Sequence, residues 1–186
     1  MIITPRIRGF ICTTAHPKGC AANVDEQIAY VTGQAPIAGG PTRVLVVGAS
    51  TGYGLASRIV AAFGCDAATL GVSFERAPGA SRTASAGWYN NRAFEARAGA
   101  RGLYARTVDG DAFSDEVKQQ VIDAVATDLG KIDLLVYSLA SPVRKHPRTG
   151  ELHRSVIKPL GETFHVKTLH VDKGDGVARG GVAELD

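Results

Sequence analysis

Three kinds of feature are scarce in this 186-residue chain, and each scarcity excludes something. No apolar run approaches the roughly 20 residues a membrane-spanning helix requires. The first ten residues, MIITPRIRGF, lack the continuous apolar stretch and small-residue cleavage site of a secretory signal, so a cytoplasmic location is expected. Cysteine occurs only three times, at Cys12, Cys20 and Cys65, too few to staple a chain of this size. Cys12, His16 and Cys20 are evenly spaced, but no second ligand pair follows and the usual zinc spacings are missing, so no metal is expected. Charge of one sign is scarce too. The net charge of +3 does not argue for nucleic acid, and its one local excess is the segment holding Arg144, Lys145, Arg148, Arg154 and Lys158. That segment reads as a solvated basic loop, with docking of an acidic or phosphate-bearing partner as the alternative.

Between residues 44 and 140, short apolar runs alternate with longer amphipathic stretches. Residues 43–48, 68–74, 102–110 and 131–140 read as strands apolar on both faces, as buried parallel strands are. Helices are expected over Gly52–Phe63, 88–102 and 114–130, the last with Ser114 as N-cap and Gly130 as stop. Strand alternating with helix implies a parallel sheet with right-handed crossovers. Residues 1–43 form a preface, with a strand near Arg8–Thr13 and a helix near Ala22–Thr32. Residues 141–186 hold the basic loop, a hairpin around TFHVKTLHVD and KGDG, and a glycine-rich end that reads as poorly ordered.

The chemistry is carried by VLVVGASTGYGLASR, residues 44–58, where an apolar strand meets Gly48, Gly52 and Gly54 and becomes a helix. Unpaired amides and the helix dipole make such a junction an anion site, and glycines let a pyrophosphate approach the backbone. The P-loop alternative fails because no Gly-Lys-Ser/Thr follows. Glu75 ends the second strand 21 positions beyond Gly54, where a carboxylate accepts hydrogen bonds from an adenosine ribose. Such a carboxylate repels a 2′-phosphate and favours NADH over NADPH, although Arg76 beside it tempers the preference. Asp111 and Ala112, after the third strand, suit the adenine amino group and ring, and Leu139 and Ala140, after the fourth, lie where the nicotinamide ribose is expected. All sit at carboxyl ends of parallel strands, where open α/β sheets bind ligands. The fold expected is a Rossmann-type parallel sheet with helices on both faces, cut short after its fourth core strand, with strand order third, second, first, fourth.

The same segments, with RGFICTTAHPKGC, LGVSFERAPG, SAGWYN, DGDAFSDEVK and DLLVYSLASPVRKHPRTGE, resemble the FabV/TER-type trans-2-enoyl-ACP/CoA reductases, enlarged relatives of short-chain dehydrogenases. The resemblance runs from residue 1 to about 165, the tail beyond about 170 departs from it, and it covers only the N-terminal portion of that family. It implies reduction of the carbon–carbon double bond of enoyl thioesters on acyl carrier protein or coenzyme A, in fatty acid biosynthesis, with NADH. It also implies cofactor contacts at Gly48, Ala49, Ser50, Thr51, Gly52, Tyr53, Phe74, Glu75, Asp111, Ala112, Leu139 and Ala140, with Tyr53 pointing toward the nicotinamide and substrate. The family's catalytic Tyr-x8-Lys pair is missing, because Tyr137 lies eight positions before Lys145, one short of that spacing. No catalytic set is therefore complete. The expectation is the cofactor-binding part of a reductase that needs its missing C-terminal half for activity. The alternatives are a non-catalytic NAD(H)-binding fragment or an inactive gene remnant, and neither nucleic acid nor membrane is expected as a partner.

Overall fold

A computed structural model describes residues 5–8, 11–155, 161, 164–168 and 179–183. Its first elements are two short antiparallel strands, β1 (Ile7–Arg8) and β2 (Ile11–Cys12), followed by helix α1 (Pro17–Thr32). The helix starts five residues before the expected Ala22, since His16 caps it by accepting from the Gly19 N–H and Pro17 suits the first turn.

The central unit follows the expected alternation. It runs β3 (Arg43–Val47), α2 (Gly52–Gly64), β4 (Ala68–Ser73), α3 (Ala86–Ala100), β5 (Ala105–Asp109), α4 (Asp115–Ala124) and β6 (Leu134–Tyr137). The four strands are parallel in the order β5-β4-β3-β6, as expected from the sequence. Ser114 caps α4 by accepting from the Val117 N–H at 3.2 Å, and the helix widens into a π turn over Val125–Leu129 before Gly130 stops it.

Alternation along β3 divides the core. Val44 and Val46 pack with Ala61 of α2, whereas Leu45 and Val47 turn to the opposite face, where Leu70, Val72 and Val108 meet Val117, Ala124 and Leu129. A third cluster joins Val24 of α1 to Leu55, Ile59 and Phe63 of α2 and Phe94 of α3. The α1–α3 layer therefore covers one face of the sheet and α4 the other.

Arg58 crosses the first of these faces with its side chain fully buried. Its guanidinium donates to the Thr69 and Thr107 hydroxyls and to the Arg106 carbonyl, and it lies 4.5 Å from the Phe94 ring centre. Gly71 leaves it room, because a Cβ there would lie 2.5 Å from the guanidinium. Burial pushes Arg58 down to about 10, still charged at neutral pH. The result is a cationic bolt from α2 across one face of β4 and β5, with hydroxyl and carbonyl oxygens in place of a carboxylate partner.

The C-terminal third departs from expectation in one hairpin and follows it in another. Part of the segment read as a basic loop is a hairpin, β7 (Val143–Lys145) with β8 (Leu152–Arg154). The alternation around residues 163–172 does form a strand, β9 (Phe164–Thr168), and its antiparallel partner is β10 (Arg179–Ala183), from the glycine-rich stretch read as poorly ordered. The KGDG residues and Lys158 lie outside the described residues.

Candidate functional site: a cleft across four strand ends

The glycine turn is shaped mainly by its neighbours. The N–H groups of Gly48 and Ala49 both donate to the Val72 carbonyl, at 2.9 and 3.0 Å, so sheet pairing persists two residues beyond β3. Gly48 has φ +89°, and a Cβ there would run into the Ser138 carbonyl just beyond the end of β6. A Cβ at Gly54 would run into the Gly48 carbonyl. These two glycines let the start of α2 settle against β3 and β6. At Gly52 a Cβ would meet nothing within 4 Å, so it is the glycine with open space beside it. Thr51, at the N-cap of α2, makes no side-chain capping bond, and Tyr53 in the first turn is 88% exposed. The turn thus offers helix-start amides without a side-chain cap, as an anion site requires.

Around the turn lies an open cleft of about 410 Å³ at the carboxyl ends of all four parallel strands. Every residue expected to contact the cofactor lines it except Ala49. Ala49 is fully buried with Val44 and Val46, and its amide is committed to β4, so the structure does not bring it to the cleft. On the second strand's side, Phe74 is exposed and Glu75 half-buried, with Glu75 Oε1 accepting from Ser50 Oγ at 2.5 Å. On the third, Asp111 Oδ1 accepts from the Phe113 N–H at 2.9 Å, so one carboxylate oxygen shapes the turn into α4. Ser138, Leu139 and Ala140 close the side beyond β6.

Sequence reasoning missed Ser138, whose carbonyl explains Gly48, and Asn90, whose Nδ2 donates to the Ser50 carbonyl at 3.0 Å. Two successive asparagines inside a helix, Asn90 and Asn91, are disfavoured by propensity and could have drawn notice. Asn91 is buried and donates to Ser73 Oγ, which in turn donates to Asp109. These bonds tie α3 to the ends of β4 and β5. Cys20 and Cys65 are free thiols pushed upward by burial, and no group of three or more metal-ligating side chains occurs among the described residues.

Comparison with known proteins gives this geometry its lineage. Residues 2–80 match the family model described as the NAD(P)H binding domain of trans-2-enoyl-CoA reductase, and residues 82–179 match its catalytic region. The chain belongs to the trans-2-enoyl-CoA reductase family. The match runs to residue 179, past the 165–170 where the resemblance was expected to end. The junction between the two regions falls between β4 and α3, so the four-stranded sheet and its cleft draw on both.

Among relatives, an enoyl-[acyl-carrier-protein] reductase [NADH] of Burkholderia thailandensis is 60% identical over 172 residues, covering 92% of this chain and 43% of that protein. Its counterpart in Saccharophagus degradans is 63% identical over 173 residues, covering 92% and 44%. The crystal structure of Treponema denticola trans-2-enoyl-CoA reductase in complex with NAD superposes with TM-score 0.86 at 48% identity, covering all of this chain and 48% of that one. A Clostridium trans-2-enoyl-CoA reductase in complex with NADH gives TM-score 0.87 at 40% identity, covering 46% of that chain. The chain spans less than half the length of these family members.

Proposed function

We propose that this chain is the cofactor-binding portion of an NADH-dependent reductase of trans-2-enoyl thioesters, acting in the cytoplasm in fatty acid biosynthesis. The observation that carries the reading is the cleft itself, where the glycine turn and Glu75 face one space at adjacent strand ends. The residues suit a dinucleotide. The α2 amides beside Gly52 receive the pyrophosphate, Glu75 the adenosine ribose, and Asp111 and Ala112 the adenine. Leu139 and Ala140 flank the nicotinamide ribose, and exposed Tyr53 stands on the same rim. When bound, NADH supplies the hydride. This chain's own residues bind and orient it.

Reduction also requires a group that stabilises the enolate. Tyr137, the tyrosine nearest the family spacing, lies within β6, and no Tyr-x8-Lys pair is present. Activity on an enoyl-CoA or an enoyl-acyl-carrier-protein therefore depends on the portion that the longer relatives possess. Calorimetric titration with NADH tests the binding role, with saturable binding expected that Glu75→Ala weakens about tenfold. An unchanged weak signal in that variant rejects a specific site. Enoyl-CoA-dependent NADH oxidation after addition of the C-terminal portion of a relative tests the catalytic role, and a stable complex without turnover rejects it.

A further inference from the structure

The Glu75 carboxylate is held from two directions. Ser50 Oγ donates to its Oε1 at 2.5 Å, and the first turn of α3 closes behind the pair. A Cβ added at Gly87 would collide with Glu75 Oε1 and lie 2.7 Å from Ser50 Cβ. Ser50 is itself buried, with its carbonyl accepting from Asn90 Nδ2. The chain following Glu75 is also pinned. The Arg76 N–H donates to Ser85 Oγ at 2.9 Å, and the Arg76 carbonyl accepts from the Ser85 N–H at 3.0 Å. Glu75 Oε2 has no partner among the described residues, and neither does the exposed Arg76 guanidinium.

A glutamate at a strand end ordinarily samples several rotamers, and one free to swing away neither grips a ribose nor excludes a phosphate. Here one oxygen is tied down while the other remains for a ligand in the cleft that both residues line. Resting on the reading of this cleft as a dinucleotide site, we infer that Ser50 is the positioning residue for discrimination between NADH and NADPH. By donating to Oε1 it seats the carboxylate against Gly87, so the anion accepts from a ribose 2′-hydroxyl and repels a 2′-phosphate. Without that bond the carboxylate swings, and Arg76 alongside becomes the dominant charge for a 2′-phosphate.

The test is calorimetric titration of the 186-residue chain with NADH and with NADPH at fixed ionic strength, with circular dichroism confirming each variant's fold. In Ser50→Ala the Kd for NADH rises about tenfold while that for NADPH stays level or falls, so the preference ratio drops about tenfold. Gly87→Ala, which retains the Ser50 hydroxyl but crowds both side chains and pushes the carboxylate out, produces the same drop. The two changes together drop the ratio no further, because they break one contact. Equal weakening of both nucleotides in Ser50→Ala, an unchanged ratio, or additive effects in the double variant overturn the inference. Should Ser50→Ala fail to fold, Gly87→Ala decides by the same ratio. Absence of binding of either nucleotide to the native chain instead overturns the proposed function, and this inference with it.

Discussion

The two strands that flank β3 both read as buried strands in the sequence and end in different surroundings. β4 is sealed, with Leu70 0% and Val72 2% exposed beneath α4 and Arg58 spanning the opposite face. β6, more apolar in sequence, leaves Leu134 40%, Leu135 54% and Tyr137 64% exposed and, among the described residues, pairs on one edge only. An apolar run specifies a strand, but the layers above and below it decide whether that strand is core. The glycine turn straddles the two regimes, since Gly48 and Gly54 pack tightly toward β6 while Gly52 looks onto open space.

The comparison breaks most visibly at its seam. Gly54→Ala drives a Cβ into the Gly48 carbonyl, a backbone atom that has nowhere to retreat. A loss of about 4 kcal/mol or more is expected in urea unfolding, among the largest single-residue effects. Gly52→Ala, with empty space around the new methyl, serves as the contrasting variant. Its cost is confined to the positive φ of +54°, about 1 kcal/mol.

On the sealed side, Arg58→Ala strands the Thr69 and Thr107 hydroxyls and the Arg106 carbonyl and leaves a void beside Phe94. Destabilisation of about 3 kcal/mol is expected by the same measurement. A loss under about 1 kcal/mol would show that the bolt across α2 and the sheet is dispensable.

On the open side, Leu135→Lys changes stability by no more than about 0.5 kcal/mol and reduces concentration-dependent self-association in analytical ultracentrifugation. A stability loss as large as that of Arg58→Ala would mean that Leu135 is core after all, and that the two flanks of β3 are alike.

The smallest effect lies in pH dependence where β3 and β6 begin. The Asp133 carboxylate accepts from the Thr42 hydroxyl at 2.6 Å and from the Thr42 and Arg43 N–H groups at 3.0 Å. These bonds hold it at about 2, below the ordinary carboxylate range near 3.9. A depressed carboxyl contributes stability that is complete above its unfolded value and lost as pH falls through the folded one. Asp133→Asn should therefore flatten the fall in urea midpoint between about pH 4 and pH 2. An unaltered acid limb would assign that fall to other carboxylates.

Much of this was legible in advance for a definite reason. Periodicity and end signals are local, and Ser114, Gly130 and the four apolar runs carry them openly. The start of α1 is hidden in the sequence because a histidine is an unusual cap, and the β7–β8 hairpin is hidden because Arg144, Lys145 and Arg154 read as solvent-facing charge. In the cleft, residue type and strand-end position located every lining residue proposed. Ala49 alone is buried away from that space, since contiguity in sequence does not say which side of a strand end faces the cleft.

By itself, the order of amino acids determined the alternation of strand and helix, the parallel sheet and the kind of ligand its strand ends suit, because hydrophobic period and turn chemistry act over a few neighbouring residues. Tertiary structure alone decided that Gly48 and Gly54 serve packing, that Arg58 is bolted through the core and that Ser50 holds Glu75. Those facts depend on atoms 6 to 90 positions apart in the chain, and only folding brings them within contact distance.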